Sequence, residues 1–118
     1  MRQGTAFWIE RDDCVWLVRR PGTGMLGGMR GLPDDGWSAR GDGCGEAPLS
    51  GAWQAAGVVR HVFTHFTVEL GVAVHSGDQR DPSGDPAGDG EWWPLARLED
   101  AGLPTLFARA AQLVLANR

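Results

Sequence analysis

Arg60-His61-Val62-Phe63-Thr64-His65-Phe66, running on into Thr67-Val68-Glu69-Leu70-Gly71-Val72-Ala73-Val74, decides how this chain is read. In the second half Val68, Leu70, Val72 and Val74 alternate with Thr67, Glu69, Gly71 and Ala73. A period of two marks a strand with one face buried. Val58 to Phe63 reads as the strand before it, so Phe63-Thr64-His65-Phe66 becomes the corner joining two strands. The corner gathers flat rings and hydrogen-bonding groups at the end of a rigid sheet. Such a set suits a planar heterocycle such as a nucleobase.

Outward from the corner, Thr5 to Glu10 and Cys14 to Arg20 read as two strands around the polar turn Arg11-Asp12-Asp13, together a hairpin. Glycine is dense from Gly24 to Gly45, predicting a loop anchored in the core by Met25, Leu26, Met29, Leu32 and Trp37. A short helix with Trp53 facing inward is expected within Pro48 to Ala56. Ser76 to Gly90 reads as a solvated loop rich in Asp, Gly and Pro. Glu91 to Pro94 reads as an edge strand, because Pro94 cannot donate to a ladder. Trp92 and Trp93 then face opposite ways, one into the core and one partly exposed. Leu95 to Asp100 makes a helical turn or two. Pro104 to Ala116 is the clearest helix, with Leu103, Phe107, Ala110 and Val114 on one face and Arg109 and Gln112 toward water. The order gives an α+β domain with a mixed or antiparallel sheet, a single unit over residues 1–118.

Composition narrows the function classes. All 11 basic residues are arginine, and the net charge is −4, so a strong general affinity for nucleic acid is not expected. Asp78 to Glu91 carries that whole excess, leaving the remainder neutral. Cys14 and Cys44 lack metal-ligand spacing and read as plain thiols of a reducing cytosol. No stretch reads as a signal peptide or a membrane span. Gly27-Gly28 lacks the Lys and Ser/Thr that follow in a P-loop, so it reads as close packing or a tight turn. His61 and Phe66 read as packed strand and core residues and His75 as solvated, whereas Phe63 suits either role.

Three islands carry a family resemblance. They are Arg19-Arg20-Pro21 through Gly24-Met25-Leu26-Gly27-Gly28-Met29 to Leu32-Pro33; His61-Val62-Phe63-Thr64-His65-Phe66 with its strand; and Trp92-Trp93-Pro94-Leu95 with Ala101-Gly102-Leu103-Pro104-Thr105-Leu106. In this order the chain resembles the C-terminal domain of MutY-type adenine DNA glycosylases. The resemblance implies a Nudix-like fold over nearly the whole chain. It also implies a non-catalytic domain of a longer bacterial cytoplasmic, nucleoid-associated enzyme. Its partners would be double-stranded DNA containing 8-oxoguanine:adenine and an N-terminal glycosylase domain, with no membrane. This chain itself would carry no metal or cofactor; an iron–sulfur cluster belongs to the N-terminal domain.

The family's Phe-Ser-His loop maps onto Phe63-Thr64-His65, with threonine keeping the hydroxyl. By resemblance Thr64 would hydrogen-bond the oxidised base through its hydroxyl or its backbone, Phe63 would pack or wedge beside it, and His65 would orient the loop or touch the backbone. 8-Oxoguanine differs from guanine mainly in a donor at N7 and an oxygen at C8, both within the range of a hydroxyl. Arg19, Arg20 and Arg30 are the candidate phosphate contacts. An active Nudix hydrolase needs an Arg-Glu pair and adjacent glutamates on a helix to hold Mg²⁺. Between Met25 and Val62 the carboxylates are Asp34, Asp35, Asp42 and Glu46, with no adjacent glutamates. The Nudix-box helix is therefore expected to be reduced or missing, the glycine-rich Asp34 to Gly45 standing in its place. A divergent nucleotide diphosphate hydrolase and a protein-interaction module are the alternatives.

Overall fold

A computed structural model describes residues 2–19, 28–37, 41–45, 52–64, 66–75 and 90–116. Alternating burial along Thr67–His75 (β6) is what organises it: Val68, Leu70 and Val72 are buried while their neighbours are not. β6 lies in the middle of a three-stranded mixed sheet. Arg2–Trp8 (β1) pairs with it in parallel, Arg2 opposite Val68 and Trp8 opposite Val74. Trp53–Val62 (β5) pairs with it antiparallel, from Trp53 opposite His75 to Val62 opposite Thr67. Ala6, Trp8, Val59, Val68, Leu70 and Val72 join one core cluster from this sheet.

A second sheet is built on Cys14–Arg19 (β3). Glu10–Arg11 (β2), Arg30–Gly31 (β4) and Gly90–Pro94 (β7) all pair with it antiparallel. Leu95–Ala101 then forms a 3₁₀ helix and Thr105–Ala116 the helix α1. The face expected for α1 is the one it buries: Phe107, Ala110 and Val114 go into the core, joined by Leu106 and Ala111, with Arg109 and Gln112 outside. Each large apolar side chain so buried contributes about 1.5–3 kcal/mol. Among the described residues no helix is long and apolar enough to cross a membrane.

Several expectations need correction. The first two strands are not one hairpin. Only Glu10–Arg11 pairs with β3; Ile9 carbonyl accepts from the Trp16 amide at 2.9 Å, and before it β1 turns its hydrogen bonds to β6. Of the helix expected within Pro48 to Ala56, residues 48–51 lie outside the described residues, and 53–56 are strand. The alanines there favour a helix locally, but pairing with β6 overrides that preference, and Trp53 sits half-buried between Phe7 and His75, with ring centroids 5.1 and 4.9 Å away. Of the loop anchors, Leu32 and Trp37 are buried, Met29 is 40% exposed, and Met25 and Leu26 lie outside the described residues. Trp92 and Trp93 are both half-buried: Trp92 stands edge-on to Trp16 at 5.1 Å, and Trp93 packs on the core. The predicted loop over Ser76 to Gly90 lies outside the described residues except for Gly90. No helix occurs in the described parts of the glycine-rich segment, 28–37 and 41–45.

Gly57 lets α1 seat. It sits at a β-bulge with φ 144°, and a Cβ there would come within 2.9 Å of Leu113 Cδ2. At the β2–β3 turn Asp12 and Asp13 both have positive φ, 52° and 62°. A two-residue turn of this hand favours Gly at its second position. Asp13→Gly is therefore expected to stabilise the domain by about 0.5–1 kcal/mol, read as a higher urea midpoint at unchanged slope.

Candidate functional site

The corner closes just beyond the last β5–β6 pair, where the Phe63 amide donates to the Phe66 carbonyl at 2.8 Å. Thr64 is exposed at its tip, and His65 lies outside the described residues. Phe63 and Phe66 stack, centroids 5.0 Å apart with 21° between planes. His61 meets Phe63 edge-on at 4.6 Å, and Trp37 lies 6.2 Å from Phe63 at a 33° tilt. Val59, His61 and Phe63 alternate onto the core side of β5, which delivers the rings to one place. Aromatic pairs of this kind add about 0.5–1.5 kcal/mol each beyond their burial. Phe66 packs on the core as expected. His61 is half-buried and packs edge-on against the Phe63 ring. Phe63 lies within the stack, half-buried.

Trp37 reaches the stack because the glycine-rich segment is stapled to the outer edge of β1. Asp35, buried, does most of this. Its Oδ1 accepts from the Thr5 amide at 3.1 Å and its Oδ2 from the Gly45 amide at 2.9 Å. Its own amide donates to the Thr5 carbonyl at 3.1 Å. Asp42 Oδ1 accepts from the Gln3 amide, and Asp34 Oδ1 from the Gly36 amide, both at 2.9 Å. Three of the four carboxylates from this region thus serve backbone amides; the fourth, Glu46, lies outside the described residues. Among the described residues no group of three or more His, Cys, Asp or Glu side chains could hold a metal ion.

The rest of the corner's rim is polar. Arg60 Nη2 lies 2.6 Å from Glu69 Oε2, and Gln3 Nε2 donates to Glu69 Oε1 at 3.1 Å. The Arg60 guanidinium first, then the Gln3 amide, hold the Glu69 carboxyl below the usual carboxylate range. Arg109 Nη1, from α1, donates to the Arg60 carbonyl at 2.8 Å. The arginines singled out from the sequence lie elsewhere. Arg19 ends β3 in the second sheet and donates to the Gly28 carbonyl at 3.0 Å. Arg30 pairs with Glu91 at 2.7 Å, donates to the Ala101 carbonyl at 3.4 Å and stacks over Trp93 at 4.7 Å. Arg20 lies outside the described residues. Arg60 escaped the sequence reading because only strand register sets it beside Glu69 and Gln3.

A family model described as NUDIX domain matches residues 5–113. No curated protein matches the chain. Among solved structures, the C-terminal domain of mouse MUTYH, crystallised in complex with human PCNA, gives a TM-score of 0.74 at 20% identity over 98% of this chain and 88% of that one. A MutT NUDIX hydrolase from Burkholderia pseudomallei gives 0.71 at 22% identity over 96% and 97%. The NUDIX domain of Shewanella oneidensis NrtR, complexed with ADP ribose, gives 0.64 at 15% identity over 99% and 88%. Likeness at such identity speaks to the fold, and function rests on the residues grafted onto it.

The stack depends on one close approach. A Cβ on Gly4 would lie 2.5 Å from Trp37 Cδ1. Gly4→Ala should therefore push the indole off β1 and cost about 1–3 kcal/mol. Ring-current-shifted proton resonances of Phe63 and Phe66 should move with it. Unchanged shifts would mean that Trp37 does not support the corner.

Proposed function

The chain belongs to the Nudix family, and on that premise we propose that it is a lesion-reading domain without hydrolase activity, recognising 8-oxoguanine opposite adenine in DNA as part of an adenine glycosylase. The observation that carries this reading is the corner: Thr64 exposed at the tip of a turn closed by backbone hydrogen bonding, on a floor of Phe63, Phe66, His61 and Trp37. In this reading Thr64 bonds the oxidised edge of the base, by its hydroxyl or its amide. His65 orients the turn. Phe63 acts through the stack, as a rigid flank for the base and not as a free wedge. A fixed turn loses little freedom on binding, which favours a contact of this small size. One such contact discriminates by about 1–3 kcal/mol.

The reading is supported by the resemblance of Phe63-Thr64-His65 to the glycosylase loop and by the fold likeness to the mouse MUTYH domain. The hydrolase alternative draws on the same fold, since a MutT hydrolase is almost equally similar. It lacks adjacent glutamates, and Asp34, Asp35 and Asp42 are engaged with backbone amides. The PCNA complex of the mouse domain makes a protein partner the remaining alternative.

Thr64→Ala is expected to lower the preference for an 8-oxoguanine:adenine duplex over a guanine:adenine duplex by about 5- to 150-fold, the equivalent of 1–3 kcal/mol, in competition binding. Phe63→Ala should lower both that preference and the thermal midpoint, because its ring also packs on the core. Equal loss on both duplexes would show that the corner reads something other than lesion identity. Mg²⁺-dependent release of phosphate from nucleoside triphosphates by the wild-type chain would favour the hydrolase instead.

A further inference from the structure

The corner reads a base, but a chain with a net charge of −4 also needs local cations to hold the strand that carries it. We infer that Arg60 and Arg109 hold the phosphodiester backbone of the strand whose base the corner reads; this rests on the proposed function. The two residues come from different elements, and Arg109 Nη1 reaches the backbone of β5 at the Arg60 carbonyl, at 2.8 Å. The Arg60 side chain is 62% exposed. Arg109 is exposed on α1 and makes no ion pair among the described residues. Arg2, opening β1 opposite Val68, adds a third positive charge to the same end of the sheet.

Spacing fits the role. Phe63 lies three steps along the chain from Arg60, about 10 Å at 3.3 Å each. A duplex strand carries one phosphate per about 3.4 Å of axis, so Arg60 falls within about three nucleotides of a base at the corner. The carboxylates nearby are already engaged: Glu69 by Arg60 and Gln3, Asp42 by the Gln3 amide. A phosphate would take over from Glu69 as the acceptor for Arg60 Nη2, and another phosphate of the same strand would take the remaining Arg109 donors. β6 leaves the corner at Thr67 and ends at His75. Arg30, by contrast, is spent on Glu91, Ala101 and Trp93 in the second sheet.

Fluorescence anisotropy of the full chain, with 8-oxoguanine:adenine and guanine:adenine duplexes over a salt series, tests this. Arg60→Gln and Arg109→Gln should each weaken binding to both duplexes by the same factor, and each should lower the slope of log K against log salt by about 0.9. Arg109→Lys should keep the slope. Glu69→Gln should tighten binding to both duplexes by releasing Arg60, an effect a purely structural salt bridge would not produce. Should Arg109→Gln fail to fold, the Lys and Glu69→Gln variants carry the test. An unchanged slope in both Gln variants, or a slope that falls only in Arg19→Gln, overturns the inference while lesion preference persists. Falling slopes without any lesion preference overturn the corner reading and keep the arginines. No binding to either duplex overturns both.

Discussion

The parallel pairing of β1 with β6 is the constraint from which the rest of this domain follows. It sets Arg2 to Gly4 beside the first residues of β6, at the corner end of the sheet. It leaves the other edge of β1 for the glycine-rich segment, which attaches through Asp35, Asp42, Pro33 and Gly43. It also leaves Gly4 facing the core, where the absent Cβ admits the Trp37 indole. From Trp37 the packing passes to Phe63 and its stack with Phe66. A parallel pair cannot be made by a local hairpin. The corner thus depends on a contact between the two ends of a long stretch of chain.

The same pairing sets what the carboxylates of the glycine-rich segment bind. In a hydrolase of this family the segment before β5 would present carboxylates to a divalent cation. Here Asp34, Asp35 and Asp42 accept from the amides of Gly36, Thr5, Gly45 and Gln3, which binds the segment to the sheet. Charge-assisted bonds to backbone amides are among the stronger ones available to a carboxylate. The acidic residues thus fix the corner's floor, flat rings above which Thr64 stands exposed.

Much of this was legible in the sequence for physical reasons. Val68, Leu70 and Val72 alternate because one face of β6 is buried, so its bounds could be read directly. The face of α1 followed from the spacing of Phe107, Ala110 and Val114. Features set by distant partners were not legible. The chain from Thr5 to Glu10 looks like one strand, yet it changes sheets at Ile9. Trp53 to Ala56 carries no period, and only β6 makes it a strand. At the site, Phe63-Thr64-His65 could be named from the motif, but Trp37 at Gly4 and Arg109 on the Arg60 carbonyl are tertiary facts.

In the function proposed for this domain, the β5–β6 corner is where it meets an oxidised purine. Amide chemical-shift mapping of the labelled chain, titrated with an 8-oxoguanine:adenine duplex and with its unoxidised counterpart, tests it most directly. Resonances that differ between the two duplexes should cluster at Phe63, Thr64 and Phe66. Differences confined to β7 and the 3₁₀ helix, with the corner unmoved, would contradict it.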